Sequence, residues 1–247
     1  MKRQMGLSLS EVLISLFLAS VIMTLLIQIY SGSKRQYLEA EKILTTGFDV
    51  QWVGDLLTDS IRRAGFTPCM GLDQLQTVDQ RNIQNNVRAL YVENEPLQLI
   101  QIKRMNEHFV KPIKIQSPTQ IVVPYPMPLN EKRPILIADC VHAEIHGQFH
   151  VAHRMNESLI TLNKPLFFSY DDSMYLGELI EERWFIKKNA KGKETLHYQS
   201  AQTEEVTPLI HSLHVTKQYV RNKQFLQLTL AVEGEQPRVL HVLVRGS

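Results

Sequence analysis

MKRQMGLSLSEVLISLFLASVIMTLLIQIY, residues 1–30, is the stretch that decides the fold. A short polar leader carrying Lys2 and Arg3 ends in Gly6, and Glu11 then opens an uncharged apolar run from Val12 to Tyr30. A run of that length suits a membrane span, since roughly 20 apolar residues cross the hydrocarbon core. An ordinary secretory signal is cut after its apolar stretch, at small residues. Here the candidate cut, between Gly6 and Leu7, lies before the stretch, so cleavage would leave the hydrophobic helix on the mature protein.

This order of leader, glycine, carboxylate and apolar run resembles the precursors of type IV pilins and pseudopilins. The resemblance implies removal of residues 1–6 by a prepilin peptidase and methylation of the new amine on Leu7. It also implies an assembly role for Glu11, whose family counterpart pairs with the N-terminal amine of a neighbouring subunit. Electrostatics points the same way. An acidic group in a membrane helix costs on the order of 2.5–3.5 kcal/mol at mid-helix, and cleavage would create a cation one helical turn from Glu11. The other reading of Glu11 is a headgroup-level residue of a single-pass anchor. Leu7 stands where the family usually has Phe, and Ser8 where Thr is common. Neither departure alters the charge argument.

From Ser31 to about Ala64 the helical period continues without proline. Apolar residues fall at Tyr37, Ala40, Leu44, Phe48, Val53, Leu56, Leu57, Ile61 and Ala64, with Lys34, Glu41, Lys42, Asp49, Asp55 and Asp59 between them. The pattern predicts one helix from about Ser8 to Arg63, its first half in membrane and its second half packed on a sheet. Gly65 and Pro68 supply the stop. The residues Asp59, Ile61, Arg62, Ala64, Gly65, Phe66 and Cys69, with Asp139-Cys140 further on, are similar to the PilW group of minor pilins.

Beyond Gly71 the pattern is β. Leu72–Val87 reads as a polar loop. Strands are predicted at 89–93, 97–103, 113–115, 121–123, 135–138, 141–151, 158–162, 175–187, 195–199, 210–220, 225–232 and 238–244, with Pro124, Pro126 and Pro128 marking an irregular connection. The predicted class is α+β, a long N-terminal helix on a largely antiparallel sheet. Its parts are a leader (1–6), a transmembrane and assembly helix (7–30), an amphipathic continuation (31–64) and a β-rich domain (65–247).

The 27 Lys and Arg against 25 Asp and Glu become 25 against 25 once Lys2 and Arg3 leave with the leader. A neutral chain does not support nucleic acid as a partner, since capture of phosphates needs clustered cations. With the leader cytoplasmic, as the resemblance implies, the β domain lies in the periplasm. In that oxidising compartment Cys69 and Cys140 are expected to form a disulfide; two unpaired buried thiols are the alternative.

His142, His146, His150 and His153 would suggest a metal face on a helix. The alternation of Val141, Ala143, Ile145, Phe149 and Val151 with polar residues instead predicts one half-buried strand, its histidines on the exposed face and too far apart to share an ion. Asp171-Asp172-Ser173 lacks a calcium-loop pattern and reads as a solvated turn. The run KKNAKGK, residues 187–193, reads as a hairpin turn, and its lysines as solvated rather than phosphate-binding beside Trp184, Phe185 and Tyr198. Asn156-Glu157-Ser158 matches a glycosylation sequon beside a leader of bacterial type. No nucleophile elbow, Walker loop or H-E-x-x-H motif is present, so neither enzyme activity nor a cofactor is expected.

The resemblance implies a minor pilin acting in initiation or assembly of a type IV pilus, at its tip, and found at the cell surface after assembly. Its partners would be other minor and major pilins, the prepilin peptidase, the inner-membrane assembly platform and membrane lipid. A minor pseudopilin of a type II secretion system shares the same features. A DNA- or surface-binding module and an anchored hydrolase are readings from other classes.

Overall fold

Helix α1 runs from Leu9 to Arg62 in a computed structural model that describes residues 9–126, 129–171, 173–220 and 223–244. Its expected first residue, Ser8, lies outside the described residues. The chain divides into two compact units, Met1–Asp49 and Val50–Ser247, with the boundary inside α1. In the first unit Tyr37, Leu44 and Phe48 are exposed. In the second, Val50, Val53, Leu57 and Ile61 recur at helical spacing, and none is more than 1% exposed.

The strands that follow are β1 (Gln76–Asp79), β2 (Gln84–Asn85), β3 (Leu90–Glu93), β4 (Leu99–Val110), β5 (Lys114–Ser117), β6 (Gln120–Pro124), β7 (Ile135–Ala138) and β8 (His142–His146). Then come β9 (Phe149–His153), β10 (Glu157–Leu162), β11 (Tyr175–Lys188), β12 (Glu194–Gln199), β13 (Thr203–Thr207), β14 (Ile210–Val220), β15 (Lys223–Val232) and β16 (Arg238–Leu243). Nine of them form one sheet in the order β13-β12-β11-β7-β8-β1-β2, with β4 on the other side of β11 and β3 beside β4. A second sheet runs β5-β6-β10-β9 and a third β14-β15-β16. Among the described strands only β1 and β8 pair in parallel. The expected α+β class with a largely antiparallel sheet is therefore what the chain adopts.

Three cores explain why the residues alternate as they do. The helical stripe packs with Ile100, Ile102 and Trp184 of the large sheet and with Leu213, Leu226 and Leu228 of the third. A second core lies under Leu72, Leu75 and Val87. The third holds Phe149, Ile121 and Ile160 of the second sheet against Ile135 and Ile137. Strand β7, Ile135–Ala138, is buried at all four positions because Leu136 and Ala138 face the second core while Ile135 and Ile137 face the third. Central strands covered on both faces read as continuous apolar runs for this reason.

Thr203–Thr207, where no strand is predicted, forms β13, and two predicted stretches also differ from expectation. Leu72–Val87, expected as a loop, contains a 3-10 turn at Leu72–Gln74 and the strands β1 and β2. Its polar side chains are used internally: Asp73 Oδ1 accepts from the Ala89 N–H at 2.8 Å, and Thr77 Oγ1 from the Val87 N–H at 2.6 Å. The expected strand 141–151 is broken at Gly147 into β8 and β9, which belong to different sheets. The KKNAKGK turn matches its expectation. Asn189 Oδ1 accepts from the backbone of Lys191 (3.0 Å) and Lys193 (3.2 Å).

Where the helix stops, Gly65 takes a left-handed backbone (φ 71°). Its N–H donates to the Lys103 carbonyl at 2.9 Å, and the Met105 N–H donates to the Phe66 carbonyl at 2.8 Å, so the helix end is stitched to β4. A Cβ at Gly65 would lie 2.8 Å from the Ala89 Cβ. Gly65→Ala is expected to destabilise the second unit by about 1–3 kcal/mol through strain and crowding. Urea unfolding of the full chain in detergent, followed by tryptophan emission, measures that loss; an unchanged midpoint would contradict this account of the helix stop.

Candidate functional site

The first unit offers a surface of one kind. Leu13, Phe17, Met23 and Ile29 are each more than half exposed, and α1 is long and apolar enough to cross a membrane by length and composition. Hydrocarbon penalises unsatisfied polar groups, so the hydroxyls in this run are informative. Ser15 donates to the Val12 carbonyl (2.9 Å), Ser20 to Phe17 (2.8 Å) and Thr24 to Ser20 (2.8 Å). Every serine and threonine between Val12 and Tyr30 thus folds back on its own helix. Glu11 sits in the first turn, where a carboxylate favours the positive end of the helix dipole. Gly6 and Leu7, the expected processing site, lie outside the described residues.

In the second unit the helix end is held by a clamp. Cys69 and Cys140 form a disulfide with Cα atoms 5.2 Å apart, closing a sequence separation of 71. Both half-cystines are exposed, so the alternative of two buried thiols does not apply. Asp139 prepares the far side of the bond. It is the last residue before a tight β7–β8 turn, and its carboxylate accepts from the backbone N–H groups of Val141 and His142. The Gln76 N–H donates to the Val141 carbonyl at 2.8 Å, so the chain leaving Cys69 returns to the same turn. The Asp59, Gly65, Phe66, Cys69 and Asp139-Cys140 residues therefore belong to one anchorage. Arg63, beside the similar-looking Arg62, supplies its ion pairs, to Asp59 and to Glu107.

The histidines do not assemble. Contrary to expectation, β8 has no solvent-exposed polar face: the segment of Phe167, Phe168 and Tyr170 lies over it, and Glu144 and His146 are 0% and 2% exposed. His146 Nε2 lies 3.0 Å from Glu144 Oε2, which also accepts from the Phe167 N–H at 2.9 Å. His142 stacks on Phe168 with ring centroids 4.5 Å apart, whereas His150 is exposed on β9. Among the described residues no group of three or more metal-ligating side chains forms. Asp171 lies in a turn, and Asp172 is outside the described residues.

A charged clasp that no sequence pattern announced ties β1 to β11. The Arg81 guanidinium donates to Glu181 through two nitrogens (2.9 and 3.0 Å) and to both oxygens of Asp79 (2.7 to 3.2 Å). Its side chain crosses Gly147, where a Cβ would approach the Arg81 Cγ to 3.0 Å. Burial alone would raise both carboxyls, yet the hydrogen bonds from Arg81 outweigh it and hold Asp79 and Glu181 below the usual carboxylate range. At Asp139 burial likewise opposes, and the backbone N–H groups of His142 and Val141 prevail, lowering its pKa.

Taken together, one long helix with an apolar first part, followed by a mostly antiparallel, disulfide-clamped β domain, is an arrangement compatible with a pilin-like fold. A comparison with protein-family models found no match, and comparisons with curated proteins and with solved structures found none either.

Two outcomes follow from the clamp and the clasp. Replacing Cys69 or Cys140 by Ser is expected to cost about 4 kcal/mol in the chain-entropy model for a loop this long, and the double variant should cost little more than either single one. Denaturant titrations of the three variants check this; additive losses would show the cysteines acting separately. Acid is the second test. Carboxyls whose folded pKa is depressed stabilise the fold above their unfolded pKa, and that stability is lost as pH falls below about 4. Thermal midpoints should therefore fall below that pH, and less steeply in an Asp79→Asn variant.

Proposed function

We propose that the protein is a minor pilin of the PilW type, held in the inner membrane by residues 7–30 with its β domain in the periplasm. In this reading it takes part in initiating or assembling a type IV pilus, at the tip. The observation that carries the reading is the apolar helix of membrane-spanning length, hydroxyls turned back on its backbone, with a single carboxylate at its head. In a simple anchor Glu11 would do no more than sit at headgroup level and complement the helix dipole. In a filament subunit it does more, because the Leu7 amine freed by cleavage of a neighbouring copy supplies its counter-ion. Helix packing with other pilins, recognition of the leader by a prepilin peptidase, and contact with the assembly platform and lipid then belong to one process, in which the chain is structural rather than catalytic.

The first check is chemical. Intact-mass analysis of the membrane-extracted protein is expected to find Leu7 as the first residue, with its amine methylated. Retention of Met1 in cells with an active prepilin peptidase would overturn the reading. The second check separates anchoring from assembly. Glu11→Ala should insert into membrane as well as wild type or better. Surface pili should nonetheless fall about tenfold, which corresponds to a lost coupling of about 1.4 kcal/mol. Unchanged pilus number at normal protein level would leave Glu11 without an assembly role.

A further inference from the structure

Beside the buried stripe of α1 the helix and the large sheet leave a cleft of about 400 Å³, within the range of ligand-binding sites. Its floor and one wall follow from strand register. Trp184 on β11 is aligned with Tyr198 on β12, and Tyr198 with Glu204 on β13, so one cross-strand row runs out to the last strand of the sheet. The opposite wall is α1, where Trp52 stands 58% exposed and Leu56 37%.

Charge in the cleft is not balanced. Three carboxylates (Asp59, Glu182 and Glu204) face two guanidinium groups (Arg63 and Arg104), while Glu205, next along β13, turns to the other face of the sheet beside Lys191 and Lys193. Both cations are committed, Arg104 to Glu182 at 3.0 Å and Arg63 to Asp59 and Glu107. Glu204 and Glu205 have no cationic partner among the described residues. Polar capacity is also left over in the walls. Trp184 Nε1, Arg104 Nε and Glu182 Oε2 are buried without a hydrogen-bond partner among the described residues, on side chains more than nine-tenths buried. Buried groups of this kind are ordinarily satisfied, so each calls for an explanation.

The strand at the cleft's rim gives the occupant a shape. Strand β13 pairs only with β12 among the described strands, so its other edge is open. Adjacent glutamates on such an edge deter pairing with a second copy of the same edge, because like charges would then face each other. The same glutamates attract a strand that carries cations, and Trp52 offers an aromatic face for one of them. We propose that this cleft and edge are a docking site for an extended, lysine- or arginine-bearing segment of a partner protein, which adds to β13 and lays a cationic side chain between Trp52 and Glu204. The proposal does not depend on whether the chain enters a pilus.

The two tryptophans of the chain, Trp52 and Trp184, both line the cleft, so intrinsic emission reports on it directly. The full-length protein in detergent would be titrated with a blocked alternating Val-Lys hexapeptide and with its Val-Glu counterpart. Expected are a saturable emission change with the first only, and slower amide exchange at Thr203–Thr207 when it is bound. The Glu204→Lys/Glu205→Lys variant, altered at exposed positions, should keep its thermal midpoint and bind at least tenfold more weakly. No saturable change, equal response to the Val-Glu peptide, or unaltered affinity in the variant would each overturn the proposal. So would an equal emission change with spermine together with no amide protection by the Val-Lys peptide, since the site would then take a small cation and no strand.

Discussion

Burial of the Val50, Val53, Leu57 and Ile61 stripe is the interaction on which the β architecture depends. The inner faces of the large and third sheets carry Ile100, Trp184, Leu213 and Leu228, and these meet through the helix as well as through each other. Fully burying four such side chains contributes about 6–12 kcal/mol at about 1.5–3 kcal/mol each, an upper figure because an unfolded chain is already partly collapsed. That is comparable to the entire stability of an ordinary domain, about 5–15 kcal/mol. The end of α1 is therefore an integral part of the second unit, and a β domain cut at residue 65 would lose the helical side of the first of its three cores.

Around this core the polar groups divide by what satisfies them. The Arg81 clasp and the Asp139 turn are closed arrangements in which each carboxylate is met by strong donors, so they fix the covering segment and the β7–β8 turn in place. Glu144 is met at Oε2 alone, by His146 and the backbone of Phe167, and its Oε1 is buried without a partner among the described residues. What sets the cleft beside α1 apart is that a buried ion pair, Arg104–Glu182, with a donor and an acceptor unused, lies next to an acidic exposed rim. A buried ion pair contributes little net stability by itself, which makes function a better reason than folding for keeping one there.

Periodicity made most of this fold legible. The apolar run, the helix, its stop at Gly65 and most strands follow from spacing that burial enforces. What stayed hidden did so for identifiable reasons. Leu72–Val87 read as a loop because the folded chain uses Asp73, Thr77 and Asp79 as internal hydrogen-bond partners, and polarity then no longer signals solvent. Strand β13, Thr203–Thr207, lacks an apolar alternation because it lies at an edge and carries Glu204 and Glu205. The period of two holds in β8, yet its polar face is covered by the distant Phe167, Phe168 and Tyr170 segment. The Arg81 clasp joins residues 100 apart in sequence, and no local pattern encodes such a pairing.

The disulfide has a mechanical meaning as well as a thermodynamic one. When a protein is stretched from its ends, every residue released from the fold adds up to about 3.3–3.6 Å of length. The Cys69–Cys140 bond excludes a sequence separation of 71 from that extension, or roughly 240 Å of contour at that rise per residue. Tension entering along α1 reaches Gly65, then Cys69, and passes through the covalent bond to Cys140 without opening the strands between. The second sheet, β5-β6-β10-β9, is split by this shortcut: β5 and β6 lie inside the closed loop, while β9 and β10 lie outside it. With the bond intact, force could peel away the outer two strands while the inner two stayed shielded, and reduction would expose all four to the load.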